Sequence, residues 1–405
     1  MIDVAAVRGA FPALRQRVHG KPLVYLDNGA TTHKPVAVLE ALNQFYGVDN
    51  SNVHRGVHAL SQRATAAYEA ARVQVQRFLN APSADEIVFT RGTTESINLV
   101  AQSWGRANLG PGDQVVISEM EHHSMIVPWQ MACEATGAEL VVLRMNDRGE
   151  LPASELDAKI GPRVKLVGVV HVSNALGTVN PVAAIVARAH AVGALVLVDG
   201  AQSAPHVAID VQALGVDFFA FSGHKVYGPT GVGVLWGRRA LLAEMPPWQG
   251  GGDMIERVSL AGATYAAPPA RFEAGTPHIA GAIGLGAACE WLSGLGLDAV
   301  AAHEAALLAH GTEVLGRVPG LALIGTAADK AGILAFDIAG LHPHDVGTIV
   351  DLEGVAVRVG HHCAQPAMER FGVSATTRAS LGVYNTREDL DRLGVALHKA
   401  VDLLG

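Results

Sequence analysis

Cysteine is scarce in this chain of 405 residues: only Cys133, Cys289 and Cys363 occur. Three thiols so far apart exclude a disulfide framework, and the expected setting is a reducing, cytoplasmic one. Positive charge is also short, with 30 Lys and Arg against 38 Asp and Glu and a formal charge of -8. No basic stripe is there to neutralise a nucleic-acid backbone, so no nucleic-acid partner is expected. No apolar run reaches the roughly 18 residues of a membrane span, so no membrane partner is expected either. The start of the chain, with an aspartate at position 3, lacks the basic-then-apolar pattern of a secretory signal. Internal repeats and low-complexity tracts are missing too.

What is there describes a packed globular enzyme-sized chain. Hydrophobic residues at 49% and charged residues at 17% supply ample core, and the length exceeds what one core usually fills, which predicts about two domains. Seven short apolar runs read as strands: 86–90, 114–118, 140–145, 165–170, 195–199, 218–222 and 232–236. Helical patterns separate them; in the segment from Thr65 to Leu79, for example, Tyr68, Ala71, Val75 and Phe78 fall on one stripe. Alternation of this kind predicts an α/β layered domain around a mostly parallel sheet covered on both faces. The stretch from Pro246 to Pro277 reads as long loops or a hairpin. Helix-like sequence from Ile279 to Leu315, the strands GILAFDI and VAVRVG, and a helix from Arg387 predict a smaller α+β domain.

Several segments carry candidate chemistry. Lys225 follows a buried strand in FSGHKVYGPTG, a placement suited to an amine that captures a carbonyl, as lysine does with pyridoxal 5′-phosphate (PLP). In RGTTESIN, Gly92, Thr93 and Thr94 open a helix, where free N–H groups suit a phosphate; a plain threonine N-cap has the same appearance. Asp199 ends an apolar strand, where a carboxylate is costly unless paired, and a protonated pyridine nitrogen is one such partner. Gln202 lies within the same turn. His122 or His123 could stack on a flat ring. Cys363 follows two histidines and reads as a nucleophile or an inert thiol; zinc on His361, His362 and Cys363 is disfavoured because adjacent residues seldom ligate one ion. Arg378 is suited to a substrate carboxylate or to an internal ion pair, and His54 with Arg55 forms a polar loop.

Taken together these motifs resemble the class V aminotransferase fold and, more narrowly, the SufS-type (group II) cysteine desulfurases. The likeness runs from YLDNGATTHKP to the C-terminus through NVHRG, EHHSMIVPWQ, VSNALGT, VDGAQS, GGGDMI, RFEAGTP and RVGHHCAQP. It implies the type I fold of PLP-dependent transferases, with a large domain over residues 15–285 and a small one made of 1–14 with 286–405. It implies that Lys225 holds PLP as a Schiff base, Asp199 pairs with the pyridine nitrogen and His122 stacks on the ring. Asn174 and Gln202 would lie near the phenolic oxygen. Thr93, Thr94, Ser222 and His224 would take the phosphate, with Thr276 reaching over from the second subunit of a homodimer. Arg378, with Arg358 and His54, would serve the substrate, and no metal is implied. Gly29 and Ser124 depart from the family, where alanine is frequent.

The reaction so implied takes sulfur from L-cysteine, releasing alanine and leaving a persulfide on Cys363. A SufE- or SufU-type acceptor would then carry the sulfur to iron–sulfur cluster assembly. L-Selenocysteine would fit the same path. A transaminase on this fold has no need of Cys363, and a non-catalytic scaffold has no need of Lys225.

Overall fold

A computed structural model of the chain describes residues 2–405. The seven apolar runs form one sheet: β1 (Ile87–Thr90), β2 (Gln114–Ser118), β3 (Glu139–Leu143), β4 (Val164–Val170), β5 (Leu195–Asp199), β6 (Phe218–Ser222) and β7 (Gly233–Gly237). Their spatial order is β1-β7-β6-β5-β4-β2-β3. The pairs from β3 to β6 are parallel, whereas β7 is antiparallel to both β6 and β1. Few residues separate β6 from β7, too few for the crossover that a parallel pair needs. The mostly parallel expectation therefore holds, with one reversed strand.

Every residue of β2 and β6 is buried, as two covered faces require. Side chains alternate between two apolar layers: Val167 and Val169 of β4 join one, Leu166 the other. Helix α1 (Ala59–Phe78) lies on the first layer and starts six residues before the expected Thr65. Its Tyr68, Ala71, Val75 and Phe78 are all buried, and the His58 imidazole accepts from Ser61 N–H to close its first turn. Helices α2 (Thr93–Val100) and α3 (His123–Thr136) belong to the opposite layer through Ile97, Leu99, Met125 and Trp129. Helix α4 (Ile279–Leu295) packs along α1. A Cβ at its Gly286 would stand 2.8 Å from Ala71 Cα, so the two helices approach where only glycine fits.

The stretch after Pro246 contains a two-stranded hairpin, β8 (Ile255–Ser259) and β9 (Gly262–Tyr265), exposed along nearly its whole length. Beyond α4 the smaller unit comprises α5 (Leu297–Leu315), an antiparallel sheet and α6 (Arg387–Leu404). The sheet contains β10 (Leu321–Ile324), β11 (Ile333–Ile338), β12 (Arg358–Gly360) and β13 (Thr376–Ser380), in the order β10-β11-β13-β12. The run VAVRVG is thus two strands rather than one. Val355–Ala356 pairs in parallel with Val24–Tyr25, while Arg358–Gly360 joins β13. The segment around Val24, not foreseen as a strand, crosses between the two units in this way. Among the described residues no single helix is long and apolar enough to cross a membrane; α4 and α5 pass that test only as a pair bent by 75°.

Candidate active site

The C-terminal ends of β4, β5 and β6 open into a cavity of about 480 Å³, closed on its far side by the loop before α2 and by β12 and β13 with the loop between them. This is the edge of an open parallel sheet at which ligands are bound, because strand ends and helix starts leave backbone groups free there. Twelve of the expected site residues line it: Thr93, Thr94, His122, Asn174, Asp199, Gln202, Ser222, His224, Lys225, Arg358, Cys363 and Arg378. Two do not. Thr276 sits in a separate cleft with Trp248 and His278. His54 also lies outside, its Nε2 2.9 Å from the Glu69 carboxylate and its backbone at φ +69°. That placement corrects the expectation for His54 within its own chain: α1 supplies a carboxylate that holds the ring at the surface.

Lys225 occupies a short helical turn directly after β6. Burial pushes its amine down to about 8, and the Asp199 charge opposes the drop without cancelling it. Asp199, the last residue of β5, is fully enclosed; burial raises its carboxyl while a 2.9 Å bond from Ala201 N–H and the charge of Lys225 hold it down. His122 caps α3, its Nδ1 accepting from Ser124 N–H at 3.1 Å. Nδ1 therefore carries no proton, and the Ser124 hydroxyl, 2.8 Å away, donates to it as well. The ring is neutral with its proton on Nε2; burial first, and then Lys225, pushes it down to about 4. His224 is lowered likewise to about 4, chiefly by burial.

At the start of α2, Thr93 N–H donates to Ser222 Oγ at 2.9 Å, and the two hydroxyls share a 2.8 Å bond. Gly92 has φ +153°, and a Cβ there would stand 3.2 Å from Ser222 Oγ. Gln202 Nε2 donates to Gly29 O at 2.7 Å, which ties the N-terminal loop across the cavity mouth.

The other wall comes from the small unit. Gly360, His362 and Cys363 all have positive φ (+131°, +53° and +56°), so the loop turns back on itself at two non-glycine residues. Such strain persists only where neighbours hold it, and four contacts do so here. His123 N–H donates to Cys363 O at 2.8 Å, and Cys363 N–H to His361 Nδ1 at 3.1 Å. The His362 ring bonds Thr376 Oγ1 at 2.8 Å, and Asn174 Nδ2 donates to His362 O at 2.6 Å. Burial pushes the His362 imidazole down to about 3. The Cys363 residue itself is exposed, whereas Cys133 and Cys289 are buried.

Arg378 is 2% exposed and donates from Nη1 to Asn174 O at 2.8 Å. Burial lowers its guanidinium to about 10, with Asp27 partly compensating. Asp27 was missed in the sequence, although an acid closing the apolar run LVYL is a readable signal. It receives Arg358 in a two-bond fork at 3.0 and 2.8 Å and lies 3.5 Å from Arg378.

A family model described as aminotransferase class-V matches residues 24–393. The chain belongs to the class-V aminotransferase family. Within that family it is similar to cysteine desulfurases. One from Dickeya dadantii is 54% identical over 98% of this chain and 97% of its own length. A probable cysteine desulfurase of Mycolicibacterium paratuberculosis is also 54% identical, over 96% of this chain; the chain spans 57% of that longer relative. The crystal structure of the cysteine desulfurase CsdA from Escherichia coli superposes with a TM-score of 0.93 at 44% identity, covering all of both chains.

Class-V aminotransferases are PLP-dependent, and the cavity fits that group. The glycine-cradled start of α2 beside Ser222 and His224 suits its phosphate. The enclosed carboxyl of Asp199 suits its ring nitrogen, and the amine of Lys225, lowered by burial, suits its aldehyde.

Proposed function

We propose that this chain is a PLP-dependent cysteine desulfurase of the group II, SufS-like kind, working in the cytoplasm as a homodimer. The observation that carries the reading is one shared cavity: Lys225, from the end of a large-unit strand, and Cys363, from a loop of the small unit, line it together with Arg378. The substrate is L-cysteine, and an acceptor protein of the SufE or SufU type takes the sulfur onward to iron–sulfur clusters.

PLP, when bound, supplies an electron sink for charge developing on the substrate's α-carbon. Thr93, Thr94, Ser222 and His224 would hold its phosphate, with Thr276 contributed from the partner subunit. Asp199 would pair with its ring nitrogen and His122 would stack on the ring. Lys225 would anchor the aldehyde and, when free, move the α-proton, for which an amine near 8 is well matched. Arg378 fixes the substrate carboxylate, and Arg358 adds positive charge beside it. The Cys363 thiolate attacks the substrate sulfur: an S–S bond forms, the C–S bond breaks with its electron pair going to the β-carbon, and that carbon is then protonated. Alanine leaves, and Cys363 keeps the persulfide.

The test is Cys363→Ala. The variant is expected to keep the visible absorbance of bound PLP and to lose alanine and sulfide release from L-cysteine. Undiminished turnover in that variant would overturn the assignment. Lys225→Ala should abolish the cofactor's absorbance as the wild-type protein shows it.

A further inference from the structure

Two strands over from Asp199 sits a carboxyl group with no part in the chemistry above. Glu121 follows β2 and is fully buried. Its Oε1 accepts from Val170 N–H at 2.9 Å and from the Ser118 hydroxyl. Beside it, Asn180 Nδ2 donates to Val170 O at 2.7 Å. The two side chains thus close both main-chain groups of the last residue of β4, beyond the point where β2 stops pairing with it. Val170 stands opposite Asp199 in the β4–β5 register and lines the cavity.

Each of these side chains keeps one oxygen, Glu121 Oε2 and Asn180 Oδ1, buried with no donor. Buried acceptors are rarely left so. A proton on Glu121 Oε2 turns one bare acceptor into a neutral hydroxyl, whereas an ionised Glu121 adds a second negative charge near Asp199, in a place where water cannot screen it.

We propose that Glu121 is a neutral acid and a positioning residue for the reaction, clamping the end of β4 through Val170 N–H so that Asp199 is the single anion at this end of the cavity. The proposal rests on the reading that Asp199 serves the cofactor's ring nitrogen. Burial, reinforced by the charge of Asp199, pushes the Glu121 carboxyl up to about 8. The nearby titratable groups are consistent with this. His171, next along from Val170, is lowered to about 4 by burial and is neutral. His122 is neutral, and Lys225 faces Asp199.

The deciding experiment is infrared spectroscopy of the PLP-loaded protein near neutral pH, as a difference between wild type and Glu121→Gln. The expected result is the carbonyl stretch of a protonated carboxylic acid in the wild type, missing from the variant. Ionised-carboxylate bands in its place overturn the proposal. A second readout is the dissociation constant for PLP together with the pH profile of its absorbance. Glu121→Gln, a neutral isostere whose amide oxygen still accepts from Val170 N–H and Ser118, should leave both near wild type, whereas Glu121→Ala should weaken PLP binding about tenfold by stranding buried groups. A Gln variant as weak as the Ala variant also sinks the idea. Failure of the underlying reading looks different: Asp199→Asn would then bind PLP with wild-type affinity and spectrum while the Glu121 acid band persisted, removing the assignment of Asp199 and leaving the protonated Glu121 in place.

Discussion

Asn174 donates its side-chain amide to the main-chain carbonyl of His362 at 2.6 Å, one residue before Cys363, and offers its own carbonyl to Arg378 at 2.8 Å. A single residue after β4 thus ties the loop bearing the thiol to the guanidinium expected to hold substrate. Both units meet at this point.

Asn174→Ala removes the only one of these ties that comes from β4's side, freeing a loop strained at two left-handed residues. Sulfide release from L-cysteine should fall at least about tenfold, as small misplacements of a reacting group do. Alkylation of Cys363 by iodoacetamide should become several-fold faster as the loop opens. Equal alkylation and turnover in variant and wild type would contradict the link.

PLP uptake should report the Lys225 amine. An ammonium cannot attack an aldehyde, so the uptake rate of the apoprotein should climb with pH and level off near 8 rather than near the ordinary 10.5. The folded-state value lies below the unfolded one, so the folded apoprotein binds fewer protons between those two values. Its stability therefore rises with pH across that window and is lower beneath it. Stopped-flow absorbance measures the first effect and urea titrations at several pH values the second. A break at the ordinary lysine value would refute the buried amine.

Arg72 is a buried cation of the large unit. It is 4% exposed, meets both oxygens of Glu273 at 2.7 and 3.0 Å, and lies over Phe89 at 4.7 Å. Glu273 in turn accepts from Phe89 N–H of β1 at 2.7 Å. Arg72→Ala leaves that carboxylate enclosed without its cation and should cost about 3–5 kcal/mol in denaturant titrations. A loss below about 1 kcal/mol would mean that water reaches Glu273 and that the pair behaves as a surface bridge.

The seven strands were legible because each is a short apolar run covered on both faces, a property local to the run. The reversal of β7 was not, since sheet order is decided by which strands meet rather than by any one of them. Lys225, Asp199 and Cys363 could be picked out because a lysine or carboxylate at the end of an apolar strand, or a thiol after two histidines, is chemically conspicuous. The sequence around His54 is equally polar, but its Glu69 partner lies on a helix whose facing cannot be judged from the loop alone. Glu121 went unnoticed for the opposite reason, since it looks like a loop acid until the fold encloses it, whereas Asp27, conspicuous at the end of LVYL, shows its part only once Arg358 and Arg378 are brought to it. Ser124, noted only as a departure from the family, shows its effect once the cap of α3 turns its hydroxyl onto His122.

The parallel pairing of Val24–Tyr25 with Val355–Ala356, backed by the Asp27–Arg358 fork, has a consequence for biosynthesis. Contacts between segments so distant in the chain form slowly, because the loop they close must be ordered first. A growing polypeptide can build the seven-stranded sheet, complete at Gly237, well before Val355 and Cys363 emerge. The amine is then in place while the thiol is still to be translated, so the reactive pair comes together late.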